Sequence, residues 1–325
     1  MTDWNNKKEV LEAVREGGLD LEKASEELKA DKEIVMAAVN NWGSALQYAS
    51  KKLRADREVV MAAVKSNGSA LRYTSQELKN DKEVVLAAVN NWGSALQYAS
   101  KELRGDKEVV MAAVKRDGHA LEHASKKLRA DKDVVMAAVK KHGDVLEYAS
   151  DELKGDRKFM LDLVKGNSYA LEYASEELRG DRDVVMAAVA SDDLAYDFLQ
   201  LISKDLRADK EVVIAAVKDS GHALEQASKE LRADKEVVMA AVKNNGSLKF
   251  ASEELRADKE VVMAAVKQDG LVIRFASDEL RDDRALVLAA IEEDPVSLEY
   301  ASKALRANKE VVMAAVKQDG LVIRF

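Results

Sequence analysis

The chain has no cysteine, a single proline among its 325 residues, and aromatic residues at only 5%. Without cysteine there are no disulfides, no thiolate metal ligands and no thiol nucleophile, and the missing disulfide framework fits a reducing compartment. Long apolar runs are missing too. The longest, VVMAAV and its variants, fall far short of the ~20 residues that cross a bilayer, and the opening MTDWNNKKEVLEAV has no apolar core of signal-peptide length. There is no Lys/Arg block, and a net charge of −8 with a pI near 5.3 argues against general nucleic-acid binding, which needs a basic surface to displace counterions. These absences point to a soluble, intracellular, cytoplasmic protein that binds no nucleic acid and inserts in no membrane.

What is present is repetition. The composition is 47% hydrophobic and 34% charged, rich in Ala, Leu, Val, Glu, Lys and Asp, as expected of a nearly all-helical protein. Aligned on its serine, one pattern returns at Ser25, Ser50, Ser75, Ser100, Ser125, Ser150, Ser175, Ser203, Ser228, Ser252, Ser277 and Ser302. The spacing is 25 residues apart from a three-residue insertion before Ser203 and a one-residue deletion before Ser252.

Residues 43–68 show what one repeat predicts. Ser44 is placed to cap a first helix whose Leu46, Ala49 and Leu53 fall at helical spacing. Asp56 caps a second, with Glu58 in its first turn, the run Val59 to Val64 as its apolar body, and Gly68 as its stop. Helices of ~10 residues do not persist alone in water, so the repeats must stack. The predicted fold is therefore all-α: an α-solenoid of about twelve to thirteen 25-residue helical hairpins, its superhelical hand left open.

Residues 1–325 read as a single continuous repeat array. Its first half repeat, 1–23, is expected to act as an N-terminal cap, because Glu9 and Glu12 stand where Val59 and Ala62 stand later. Residues 190–202 form an irregular repeat carrying the insertion, and Pro295 stands where another repeat has Gly270, suited to the first position of a helix. Residues 320–325 read as an incomplete C-terminal repeat, with Leu321, Ile323 and Phe325 lacking a following neighbour. That end is expected to support a homodimer.

The pattern GxxLxYASxELRxDKEVVMAAVKxxG resembles the tandem helical repeats known as the domain of unknown function numbered forty-one sixteen, over nearly the whole chain. The resemblance implies an array of interaction-type repeats. It brings no catalytic residue with it.

Several columns invite a chemical reading. A basic residue follows each motif leucine, from Lys29 and Arg54 to Arg306, with an Asp two places on from Asp31 to Asp283 and Asn308 last; the simplest reading is a ladder of caps and surface ion pairs. The aromatic column at Tyr48, Tyr73 and Tyr98, continued at Tyr148 and Phe250, could line a peptide groove, with packing between repeats as the plainer alternative. The repeated serine lacks the single base and oxyanion site that a nucleophile needs, and is expected to bond back along a helix or to touch a neighbour. His119 and His123, four apart on one expected helix, with His142 on the next, are the nearest approach to a metal site; no metal and no cofactor is expected, since each occupies a column filled by other residues elsewhere. Trp42 and Trp92, in identical NNWGSALQYAS segments, are candidate contacts for a partner.

No phosphate loop, HExxH or Ser/His/Asp arrangement stands out. The sequence thus points to a non-enzymatic scaffold for protein–protein interaction. Self-assembly through the C-terminal end, and an effector that binds and modulates a partner enzyme, are the alternatives.

Overall fold

The computed structural model describes residues 2–190, 198–244 and 248–319. They fall into two compact units, Met1–Asp156 and Arg157–Phe325. Both are all-helical, with no strand among the described residues. The first unit carries six main α-helices, Lys7–Glu16, Lys32–Asn41, Arg57–Ser66, Lys82–Asn91, Lys107–Arg116 and Lys132–Val139, each packed on the next. The second repeats the scheme with seven, from Arg157–Val164 to Lys309–Gln318.

The main helix forms as the sequence predicts. Asp56 is extended (φ −81°, ψ 116°), and its Oδ1 accepts the N–H groups of Glu58 and Val59 at 3.0 and 3.1 Å. Such a cap satisfies two of the orphan donors of the first turn. Val59, Val60, Ala63 and Val64 are fully buried. Met61 and Ala62, read from sequence as part of the same apolar body, are only half-buried and lie on the opposite side of the helix.

The other half of the repeat is not one continuous α-helix: a 3-10 segment is followed by a separate short turn, which is 3-10 in some repeats and a four-residue α-helix in others, such as Lys126–Arg129 and Glu253–Arg256. Gly43–Tyr48 and Leu53–Ala55 are separate 3-10 segments, broken at Ala49, where the chain is extended (φ −66°, ψ 152°). The cause is Ser50. Its N–H leaves its own segment and donates to the Lys29 carbonyl of the preceding repeat at 2.9 Å. The same bond recurs from Ser75 to Arg54 (3.1 Å), Ser100 to Lys79 (2.9 Å) and Ser125 to Arg104 (2.8 Å), and in the second unit from Ser228 to Arg207 (3.0 Å). A helix cannot run through a residue whose N–H is committed to a neighbour. The serine hydroxyl is likewise not bonded back within a helix: Ser125 Oγ caps the next short segment by accepting the Leu128 N–H at 3.4 Å, and Ser100 Oγ, which accepts the Leu103 N–H at 3.2 Å, also donates to Asn80 Oδ1 of the preceding repeat, the neighbour contact expected.

Glycine, too, has a different task. The helix Arg57–Ser66 ends at an extended Asn67, not at a left-handed glycine. A Cβ on Gly68 would sit 2.3 Å from the Ala88 carbonyl oxygen, and one on Gly43 would sit 2.1 Å from that of Ala63. Glycine therefore lets one repeat's 3-10 segment press against the C-terminal turn of the next main helix. Pro295 does begin its segment, Pro295–Tyr300, with Asp294 Oδ1 accepting the Val296 N–H at 2.8 Å.

The expected all-α repeat is thus observed: within each unit the main helices pack in succession, and in the first unit the segments Gly43–Tyr48, Gly68–Tyr73 and Gly93–Tyr98 pack on one another beside them. Glu9 and Glu12 are exposed, on a first helix that buries Val10 and Val14. The insertion within 190–202 and the segment 320–325, with Leu321, Ile323 and Phe325, lie largely or wholly outside the described residues.

Because Gly68 faces backbone, which cannot swing aside like a side chain, Gly68→Ala should destabilise the protein by about 1–3 kcal/mol. Urea unfolding followed by circular dichroism measures it; an unchanged or raised midpoint would contradict the close approach.

Candidate functional site

Main helices present two faces because their repeat, EVVMAAVK, places apolar residues on both. Inward go Val59, Val60, Ala63 and Val64; outward, at i, i+3, i+4 and i+7, go Glu58, Met61, Ala62 and Lys65. Side by side, these outer faces leave grooves. One of about 780 Å³ lies between Lys32–Asn41 and Arg57–Ser66, lined by Met36, Glu58, Met61, Ala62 and Lys65. Another, of about 500 Å³, is lined by Glu108, Met111, Ala112 and Lys115. In the second unit a groove of about 560 Å³ is lined by Ile214, Glu236, Met239, Ala240 and Lys243. Each has an apolar floor with a carboxylate at one end and an ammonium at the other.

The acidic end is held by an ion-pair ladder. Lys32 Nζ lies 2.9 Å from Asp56 and 2.8 Å from Glu58, and Lys82 Nζ lies 2.8 Å from both Asp106 and Glu108. Arg57 spans Asp81 and Glu83 in the same manner. The cation is the residue after the capping Asp in the preceding repeat. It is not the basic residue that follows the motif leucine, as the column pattern suggested. Those residues, such as Arg54, are half-buried and serve the stack through their carbonyls.

The aromatic candidates sit at the joints between repeats. Tyr48, Tyr73 and Tyr98 are half-buried. Burial first, then the charge and hydrogen bond of Glu22 from the preceding repeat, push the Tyr48 phenol up. Arg72 stacks its guanidinium 4.7 Å from the Tyr73 ring centre, and Trp92 lies 6.3 Å from the Tyr98 ring. The twin segments differ in surroundings: Trp42 is 50% exposed, whereas Trp92 is half-buried.

The histidines are rearranged relative to the helical expectation. Gly118–His123 is a 3-10 segment, in which residues three apart eclipse and residues four apart diverge. His123 therefore leaves His119. His142 joins His119 instead, with ring centres 4.5 Å apart, and the third member is Asp117, which sequence reasoning did not single out. His119 Nδ1 lies 3.4 Å from Asp117 Oδ1, and its Nε2 lies 3.2 Å from Asp144 Oδ2. Burial works against its charged form, but the hydrogen bonds and charges of Asp144 and Asp117 outweigh burial and raise its pKa.

The outward face escaped the sequence reading because VVMAAV looks like one buried run. The available signal was the period: Met and Ala recur where a surface helix would be polar, with Glu and Lys one turn to either side.

A family model described as a domain of unknown function (DUF4116) matches residues 6–54, 56–104, 106–154, 156–200, 196–232, 234–281 and 283–325. The first three matches each start at or beside a main-helix cap and take in two of the 25-residue repeats. No curated protein matches the chain. Among the described residues, no helix is long and apolar enough to cross a membrane.

The ladder makes the stability acid-sensitive. The Lys82 ammonium is the chief influence holding the Asp106 carboxyl below its ordinary value; partial burial opposes it, and the N–H groups of Val109 and Glu108 assist. Asp181, Asp209, Asp234 and Asp258 are lowered in the same way by their paired cations. The folded state therefore binds fewer protons than the unfolded one, so this stability is present above the unfolded carboxyl pKa of about 4 and is lost as pH falls through the folded values. Unfolding free energy measured against pH should stay level near neutrality and drop below about pH 4. Asp106→Asn, which keeps a capping oxygen but no charge, should give a shallower acid limb; an unaltered limb would contradict the assignment.

Proposed function

This chain belongs to the DUF4116 domain-of-unknown-function family, and we propose that it is a non-enzymatic scaffold whose repeats stack within each unit as an α-solenoid and bind a protein partner along the outer face of the main helices. One observation carries this reading. The same four side chains, Glu58, Met61, Ala62 and Lys65, return as Glu108, Met111, Ala112 and Lys115 and as Glu236, Met239, Ala240 and Lys243, and each set lines a groove.

A groove between two parallel-packed helices, apolar along its floor and charged at both ends, suits an amphipathic helical segment. Apolar anchors one turn apart would rest on Met and Ala, while an acidic residue meets Lys65. Methionine is unbranched and polarizable, so a Met-lined floor adapts to anchors of different shape. Spacing such grooves along a chain multiplies the effective concentration of linked partner segments. A cytoplasmic setting, inferred from the cysteine-free sequence, goes with this role.

Selection from a displayed library of helical peptides against the full chain tests the reading. Binders should shift the methyl resonances of Met36 and Met61 or Met111, and Met61→Asp should weaken a binder to that groove by about tenfold or more, the loss of one well-placed apolar anchor, with helicity unchanged. Binders that map to Trp42 and leave every groove methionine unshifted would overturn it.

A further inference from the structure

Two columns of the repeat meet at three joints in the first unit. The residue just before the inter-segment glycine (Asn67, Asp117, His142) approaches the residue just after the glycine of the preceding repeat (Ser44, Ser94, His119). At two of these joints a hydrogen bond links the columns: Asn67 Nδ2 donates to Ser44 Oγ at 2.8 Å, and Ser94 Oγ donates to the Asp117 carboxylate, at Oδ2, at 2.8 Å. At the next joint the chain reads Asp117-Gly118-His119 and then, 25 residues on, His142-Gly143-Asp144. Stacking these reciprocal triplets puts imidazole against imidazole and leaves a carboxylate on each side.

We propose that Asp117, His119 and His142 form a binding site for a divalent transition metal of the zinc class. One ligand atom from each lies within 4.8 Å of the other two. Asp117 Oδ1 is 3.4 Å from His119 Nδ1 and 3.9 Å from His142 Nδ1. Ligand atoms around a tetrahedral zinc, with bonds of about 2.0–2.1 Å, stand about 3.3 Å apart, so small side-chain rotations close the set. The supporting shell is in place. Ser94 holds the other Asp117 oxygen, and Asp144 accepts from the far nitrogen of His119, the carboxylate–histidine pairing that fixes the ligating nitrogen and raises its basicity. The His119 and His142 side chains are 43% and 44% exposed, so water completes the coordination. Two imidazoles and a carboxylate favour zinc, nickel or copper over magnesium or calcium, which take oxygen ligands. The joint is also tight: a Cβ on Gly118 would lie 3.0 Å from His142 Nδ1.

The site differs from an α-helical His119/His123 pair in a way an experiment can read. Titration calorimetry of the full chain with zinc chloride at neutral pH should show one saturable site. His142→Ala should abolish it, Asp144→Asn should weaken it about 10- to 100-fold as supporting residues do, and His123→Ala should leave it unchanged. Nitrogen-detected histidine NMR should show zinc altering Nδ1 of His119 and His142 alone, with circular dichroism confirming that each variant is folded. Absence of saturable binding by the folded native chain, binding that survives His142→Ala, or loss on His123→Ala would overturn the proposal.

Discussion

Within each unit one backbone bond recurs between consecutive repeats, from the N–H of the motif serine to the carbonyl of the basic residue one repeat back. The bond from Ser50 to Lys29 is 2.9 Å long, and its counterparts run along both units. Most other features follow from that commitment. Because the N–H is spent outside its own segment, the chain must extend at Ala49 and cannot continue as an α-helix. Because the chain extends, the serine hydroxyl falls in place to cap the next turn. Because the turn stays short, its leucine reaches the core and its Asp begins the main helix.

A glycine without left-handed backbone completes the joint. The 2.1 Å that would separate a Cβ on Gly43 from the Ala63 oxygen measures how closely successive repeats are drawn together. That closeness sets main helix against main helix, so Met61 and Ala62 become the half-buried floor of a groove and not part of the core. The ion-pair ladder tunes this arrangement at the surface. Its cations lie on the main helix and clasp the cap of the following one, as Lys82 does Asp106. The proposed binding face and the histidine cluster are both products of stacking, since each draws its side chains from two consecutive repeats.

The period, the main helix and its Asp cap were legible in the sequence, because capping and a 3.6-residue pattern act locally on residues such as Asp56, Val59 and Val64. The 3-10 character of Gly43–Tyr48 was not. Leu46, Ala49 and Leu53 satisfy a helical spacing, and only the serine's bond to another repeat overrules it. The same error of period paired His119 with His123, when the eclipsed geometry of the segment and the next repeat's register pair it with His142. Trp42 and Trp92 show the remaining limit. Their local sequences are identical, yet one is exposed and the other half-buried, because what covers them belongs to other repeats.

Native-state hydrogen exchange, resolved by residue, tests the central claim that the serine N–H holds the repeats together. The amides of Ser75 and Ser100 should be protected as strongly as that of Val85, which donates to Asp81 within a main helix at 2.9 Å. If Ser75 and Ser100 exchange as fast as the exposed Lys51 and Lys52 while Val85 stays protected, the serine bond does not hold the repeats together and the account fails.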